Sequence, residues 1–197
     1  MKRLFILLGI LFLSSVYNFS FAEEATSEAN EISQQARVLY AQNNIDETLK
    51  LLKTKSEEEL TAEDYLILGN IYQDQDNLNA AIMMYQKAID KEPKAYKAHY
   101  NLGTIYLEQE QPNLALIELK KAVKYNDKFA YGYYNMGCAY LKLKKYGTAK
   151  YNFFRAIDNK ADEPSFYYNL AYAYKMLNNE KNANTYLDIY NKLIERN

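Results

Sequence analysis

Four heptapeptides of similar sequence recur along the chain: LILGNIY at 66–72, YNLGTIY at 100–106, YNMGCAY at 134–140 and YNLAYAY at 168–174. Their starting positions are equally spaced along the chain. A fixed period of roughly 20 to 50 residues is typical of stacked supersecondary units, each of which completes its core only against its neighbours. The chain is therefore predicted to fold as an array of repeats.

The repetition extends beyond the heptapeptides. Each unit carries a glycine or alanine, a tyrosine three residues later and an alanine nine residues after that. With position 1 placed at residues 62, 96, 130 and 164, these are positions 8, 11 and 20. The residues are Gly69, Gly103, Gly137, Ala171, Tyr72, Tyr106, Tyr140, Tyr174, Ala81, Ala115, Ala149 and Ala183.

Within each unit the apolar residues follow a helical period in two separate stretches. In the unit at 96–129 the first stretch runs from Lys97 to Glu108, and the second follows a break at 109–113. Pro112 falls in the first turn of the second stretch, where its missing N–H costs little. No stretch of useful length alternates with the period of a strand, so the sequence predicts an all-α fold.

The small residues at positions 8 and 20 predict close packing between the two helices of a unit. Glycine at position 103 is roughly 1 kcal/mol less favourable in a helix than alanine, so its presence there indicates that packing requires a residue without a side chain. We expect the two helix backbones to approach each other at this point, with tyrosine and leucine filling the wider parts of the interface. These residues are assigned a structural role.

This pattern resembles the tetratricopeptide repeat, a pair of helices with the same period and with small and aromatic residues at the same positions. The resemblance implies a right-handed α-solenoid of helix-turn-helix units at 62–95, 96–129, 130–163 and 164–197. A degenerate unit at 31–61 matches more weakly, through Ala36, Leu39 and Ile45, and is one residue short. Degeneracy is expected of a terminal repeat, since it has one neighbour.

The N-terminus has the features of a secretory signal peptide. Lys2 and Arg3 precede an apolar run at 4–13, and small residues end at Ala22. The sequence therefore predicts a signal peptide at 1–22, a disordered acidic leader at 23–30, and an exported protein that is periplasmic or secreted after cleavage near Ala22. Membrane contact would then occur only through the signal peptide before cleavage. The alternative is an uncleaved signal anchor.

The composition argues against nucleic acid as a partner. The chain has 24 basic and 25 acidic residues, so it lacks the basic excess that neutralises phosphates. Its single cysteine, Cys138, cannot form an internal disulfide, so stability must come from packing.

The resemblance also implies a binding surface, because the first helix of each unit lines the concave wall in this family. Asparagine carboxamides at position 6 could pair with the backbone of an extended peptide, and tyrosines at position 5 add flat contact area. Two residues at position 9 complete the predicted surface. Its residues are Asn101, Asn135, Asn169, Tyr100, Tyr134, Tyr168, Asn70 and Tyr172. The alternative is that these are generic scaffold residues and partners bind elsewhere.

The sequence offers no constellation typical of catalysis, and it predicts no cofactor and no metal site. His99 is the only histidine and stands at position 4, a packing position, while Cys138 is expected to be a small, half-buried filler. The protein is therefore predicted not to be an enzyme.

Two functional classes remain open. The first is an exported interaction scaffold that binds a protein or peptide partner in its concave groove. The second is a structural protein of the cell envelope that associates with itself, as a homodimer through the C-terminal helix. That helix shows apolar residues on both sides, among them Tyr186, Ile189, Tyr190, Leu193 and Ile194.

Overall fold

The structure is a computed structural model that describes residues 27–195. Within that range the chain forms ten α-helices and no strand. The first, α1, covers residues 27–41. The others are α2 (Ile45–Leu52), α3 (Ala62–Asp74), α4 (Leu78–Lys91), α5 (Tyr96–Glu108), α6 (Pro112–Tyr125), α7 (Ala130–Lys142), α8 (Tyr146–Asn159), α9 (Pro164–Met176) and α10 (Glu180–Ile194). The predicted signal peptide at 1–22 lies outside the described residues.

Helices α3 to α10 form four pairs that repeat with the period of the sequence. The first helices of the pairs begin at Ala62, Tyr96, Ala130 and Pro164, which are position 1 of the four units. Each first helix packs most extensively against the second helix of its own pair. The second helix of each of the first three pairs also packs against the first helix of the following pair. The predicted all-α solenoid of helix-turn-helix units is confirmed.

A large side chain from the second helix lies against the glycine at position 8 of the first helix. A Cβ atom added to Gly137 would lie 2.7 Å from Cδ1 of Phe153, and one added to Gly103 would lie 2.6 Å from Cγ of Leu119. Phe153 and Leu119 are completely buried. The predicted close approach of the two backbones occurs at Gly103, where the added Cβ would also lie 3.3 Å from the carbonyl oxygen of Ala115. At Gly137 the three nearest atoms all belong to the ring of Phe153, so a side chain, and not the second backbone, requires the glycine there. A ring or leucine side chain fills the space, because it buries more apolar surface than a backbone contact would.

The turn inside each unit contains a residue with a left-handed backbone. Asp76, Glu110, Lys144 and Asn178 have φ between 57° and 58°, and all four stand at position 15 of their units. Each turn is closed by a backbone hydrogen bond to the carbonyl of the repeated tyrosine, such as Lys145 N to Tyr140 O at 2.8 Å. This is the hydrogen-bond pattern in which helices usually end with glycine at the left-handed position.

Lys144→Gly is expected to raise the free energy of unfolding by roughly 0.5–1 kcal/mol, because a left-handed backbone costs a residue with a Cβ more than it costs glycine. By contrast, Lys120 is exposed in the interior of α6, where glycine is unfavourable, so Lys120→Gly should lower the free energy of unfolding by about 1 kcal/mol. Urea unfolding of both variants checks the prediction. Equal effects of the two substitutions would contradict it.

The N-terminal unit differs from the prediction at its start. Residues 27–30 belong to α1, although they fall in the stretch predicted as a disordered leader at 23–30. Acidic Glu28 is compatible with the early part of a helix, because a negative charge interacts favourably with the helix dipole there. Ala36 of α1 is completely buried in a cluster that includes Ile71 of α3. These tertiary contacts, which composition does not reveal, favour the helix.

A buried charged cluster joins this unit to the next one. Lys55 Nζ lies 2.6 Å from Asp64 Oδ2, and the two side chains are 1% and 0% exposed. The hydroxyl of Ser33 donates to the same carboxylate oxygen at 2.8 Å. Asp64 also accepts from the backbone N–H of Thr61, which caps α3. The cluster replaces an alanine contact found in three of the other units, because Lys55 stands where they have Ala88, Ala122 and Ala156.

Candidate interaction surface

The first helices of the units form one wall of the solenoid. Helix α5 contacts α7, and α7 contacts α9, although a second helix lies between them in sequence. No contact of comparable extent joins successive second helices within residues 27–195. The wall made by the first helices is therefore the more closely spaced one, as expected for the inner side of a curved array.

The asparagines at position 6 connect neighbouring units on this wall. The side-chain amide of Asn101 donates to Asn70 Oδ1 at 2.8 Å, and that of Asn135 donates to Thr104 Oγ1 at 3.0 Å. In the last unit, Asn169 Nδ2 lies 2.7 Å from the hydroxyl of Tyr134 and 3.9 Å from Sγ of Cys138. Each amide thus reaches position 9 of the preceding unit.

These hydrogen bonds give the asparagines a positioning role. Asn135 is only 9% exposed, so its side chain is mostly closed to a ligand. The hydroxyl of Tyr85 also donates to Asn70 Oδ1 at 2.8 Å, so Asn70 is engaged from two sides. A ladder of carboxamides therefore exists on the predicted wall, and its amide nitrogens hold successive units in register.

The tyrosines at position 5 differ along the wall. Tyr100 meets the edge of Phe129 with ring centroids 4.9 Å apart, and Tyr134 stacks on Phe166 at the same distance. Burial raises the pKa of Tyr134 to about 12, which keeps its hydroxyl protonated at neutral pH. Tyr168 is not covered by the first helix of another unit within the described residues and is 51% exposed. The inner tyrosines are thus part of the packing between units, whereas the last one is open.

Three tyrosines are exposed on the first helices of the last two units: Tyr131, Tyr168 and Tyr172, at 38%, 51% and 45%. We call them the wall tyrosines. The sequence prediction included Tyr168 and Tyr172 and missed Tyr131. Tyr131 stands at position 2, where the other units carry Glu63, Lys97 and Ser165, so its aromatic character was the available signal.

His99 and Cys138 are accounted for by packing. Nδ1 of His99 lies 2.6 Å from Glu118 Oε2 and Nε2 lies 3.2 Å from the carbonyl oxygen of Pro93, with the ring 2% exposed. Burial raises the pKa of the Cys138 thiol to about 11, so little thiolate exists at neutral pH. No group of three metal-ligating side chains occurs within residues 27–195. No helix of that same range is long and apolar enough to span a bilayer.

Acidification is expected to remove stability that Glu118 supplies. Burial alone would raise the pKa of Glu118, but hydrogen bonds from His99 and Lys121 outweigh burial and hold the pKa below its ordinary value. A carboxyl whose pKa is lowered by folding stabilises the fold above its unfolded pKa, and this stabilisation is lost as the pH falls through the folded pKa. At pH 7, Glu118→Gln should therefore lower the free energy of unfolding by about 2 kcal/mol. The gap between the variant and the natural chain should close in acid, as measured by urea unfolding between pH 7 and 3, and a gap independent of pH would contradict this.

The comparisons with known proteins agree with this architecture. A family model described as "TPR repeat" matches residues 69–110, and one described as "Tetratricopeptide repeat" matches 96–129 and 130–162. The chain belongs to the tetratricopeptide repeat family. The fold of this family is a scaffold for protein–protein interaction. No curated protein sequence matches the chain.

Solved tetratricopeptide repeat structures resemble the whole described solenoid. MamA AMB-1 superposes with a TM-score of 0.70 at 17% identity, covering 85% of this chain and 92% of that one. MamA MSR-1 gives 0.70 at 19% identity, with coverage of 86% and 98%. PilF of Pseudomonas aeruginosa gives 0.74 at 20% identity, with coverage of 85% and 78%. At these identities the likeness concerns the fold alone.

Proposed function

We propose that this protein is an exported, non-catalytic scaffold that binds a peptide or helix of a partner protein along the wall of first helices. The observation that carries the proposal is the exposure of the three wall tyrosines on the first helices of neighbouring units. Tyrosine offers a large, flat contact area with a polar end and loses little conformational entropy on binding. The asparagine amides contribute indirectly, because they fix the spacing of the helices that carry the tyrosines.

The binding proposal is tested by comparing tyrosines on opposite sides of the solenoid. Proximity labelling from the exported protein identifies candidate partners, whose affinities are then measured with purified variants. Tyr131→Ala and Tyr172→Ala should each weaken binding by at least about 10-fold, which is typical of aromatic residues at the centre of an interface. The matched control is Tyr151→Ala, since Tyr151 lies on a second helix and is 58% exposed. Equal effects of the wall and control variants would overturn the proposal.

Export rests on the charged, apolar and small residues at 1–22. The test is the intact mass of the protein recovered from the periplasm or culture medium. Cleavage after Ala22 gives a chain that begins at Glu23. Recovery of an uncleaved chain in the membrane fraction would instead support the signal anchor.

The second candidate function is structural self-association through the C-terminal helix. It is favoured by the exposure of two apolar residues of α10, Leu187 at 38% and Ile194 at 48%. Within residues 27–195, α10 packs extensively only against α9. Sedimentation that shows a monomer at high concentration would exclude it.

A further inference from the structure

The last unit contains an open cleft between its two helices. The cleft has a volume of about 220 Å³. Tyr168, Ala171 and Tyr172 of α9 line one side of the cleft, and Ala183, Asn184 and Leu187 of α10 line the other. Tyr168 and Tyr172 are also wall tyrosines, so the cleft lies where the wall ends.

The same cleft in the preceding unit is filled by a helix. The residues equivalent to Tyr168 and Leu187 are Tyr134 and Phe153, one repeat earlier. Tyr134 stacks on Phe166 of α9, and Phe153 shares a buried cluster with Leu170 and Ala173 of α9. These three α9 residues, at positions 3, 7 and 10, are completely buried. The open cleft is thus a continuation of the packing interface that joins the units inside the chain.

The equivalent surface at the opposite end of the described solenoid is mostly polar. With Ala36 as position 8, positions 3, 7 and 10 of α1 are Glu31, Gln35 and Val38. A polar outer face is what keeps the end of a repeat array soluble. Helix α1 of another copy therefore does not match the apolar residues that fill this type of cleft.

We propose that α10 of a second copy of this chain occupies the open cleft, which gives a two-fold symmetric dimer. This inference rests on the second candidate function and specifies its surface. Consecutive helices of the solenoid run antiparallel, and a two-fold axis perpendicular to α10 makes the two copies of α10 antiparallel as well. The second copy of α10 therefore lies against the first in the same antiparallel orientation that α9 has against α8.

The sequence of α10 fits such a pairing. Ala183, Leu187 and Ile194 recur at helical spacing and form one stripe beside the cleft. Asn184 lies three residues before Leu187 and Asn191 four residues after it. An antiparallel pair centred on Leu187 therefore places Asn184 of each copy near Asn191 of the other. The two carboxamides are complementary because each both donates and accepts hydrogen bonds.

Sedimentation velocity of the full chain tests the proposal. The natural chain and Val38→Asp should sediment as dimers, since Val38 is 51% exposed at the polar end. Leu187→Asp and Ile194→Asp should each raise the dimer dissociation constant by at least about 10-fold. Circular dichroism shows whether each variant keeps its helices, and Ile194→Asp provides a second test in case Leu187→Asp perturbs α10. A monomeric natural chain, or a dimer that survives both substitutions, would overturn the proposal.

A cysteine placed at the centre of the pairing tests its register. In a chain with Cys138→Ala, the substitution Leu187→Cys should give a disulfide-linked dimer on mild oxidation, because the two copies meet at the axis. Val38→Cys in the same background should not. Absence of the linked dimer would overturn the antiparallel arrangement. None of these outcomes decides wall binding, since Tyr131, unlike Tyr172, does not line the cleft and remains available for a separate affinity measurement.

Discussion

Gly137→Ala is expected to lower the free energy of unfolding by roughly 2 kcal/mol, despite the better helix propensity of alanine. The added Cβ would lie 2.7 Å from Cδ1 of Phe153, whose ring is completely buried. The ring cannot move away without opening the interface between α7 and α8. Urea unfolding followed by circular dichroism measures the effect.

Gly147→Ala is the matched control, because Gly147 is also helical but a Cβ added there meets nothing within 4 Å. It should raise the free energy of unfolding by about 0.5–1 kcal/mol. If the two substitutions changed the free energy of unfolding by a similar amount in the same direction, the ring of Phe153 would not be the reason for glycine at position 8.

Asp64→Ala should have a larger effect, a loss of about 3–5 kcal/mol in the stability of the N-terminal part of the solenoid. The substitution leaves the Lys55 ammonium buried without its carboxylate, since the Lys55 side chain is only 1% exposed. It also removes the cap that Asp64 and Thr61 form at the start of α3. Unfolding that begins in α1 and α2, detected by hydrogen exchange, would locate the loss.

The double variant Lys55→Met/Asp64→Leu separates the cost of an unpaired charge from the value of the pair. Replacing a buried ion pair by apolar residues of similar volume is often neutral or stabilising, so most of the loss should be recovered. A double variant as unstable as Asp64→Ala would contradict this explanation. It would indicate that the hydrogen bonds of the cluster, and not charge burial, hold the first unit in place.

The sequence predicts the repeats well because their packing is periodic. Gly69, Gly103 and Gly137 each lie at the interface between the two helices of a unit, and each faces a large side chain from the second helix. The contact that fills the space beside these glycines was harder to predict. The partner of Gly137 is Phe153, which lies in the next helix, and the identity of this partner varies between units.

Features that occur only once in the chain could not be predicted from a repeated pattern. Lys55 occupies a position that is alanine in three other units, and the residues next to it in sequence do not indicate its contacts with Asp64 and Ser33. The asparagines at position 6 are recognisable as a repeated set, but their hydrogen bonds cross between units. A pattern within one unit cannot show that Asn135 donates to Thr104 instead of facing a ligand.

Native-state hydrogen exchange of Gly137→Ala, resolved by helix, tests most directly whether the units share one continuous interior. The substitution lies in α7, which packs against α6 of the preceding unit and contacts α9 of the following unit. Continuous packing predicts that protection falls in α5, α6 and α9 as well as in α7 and α8. Loss of protection confined to α7 and α8 would show that each helical pair is stable by itself, which contradicts the account.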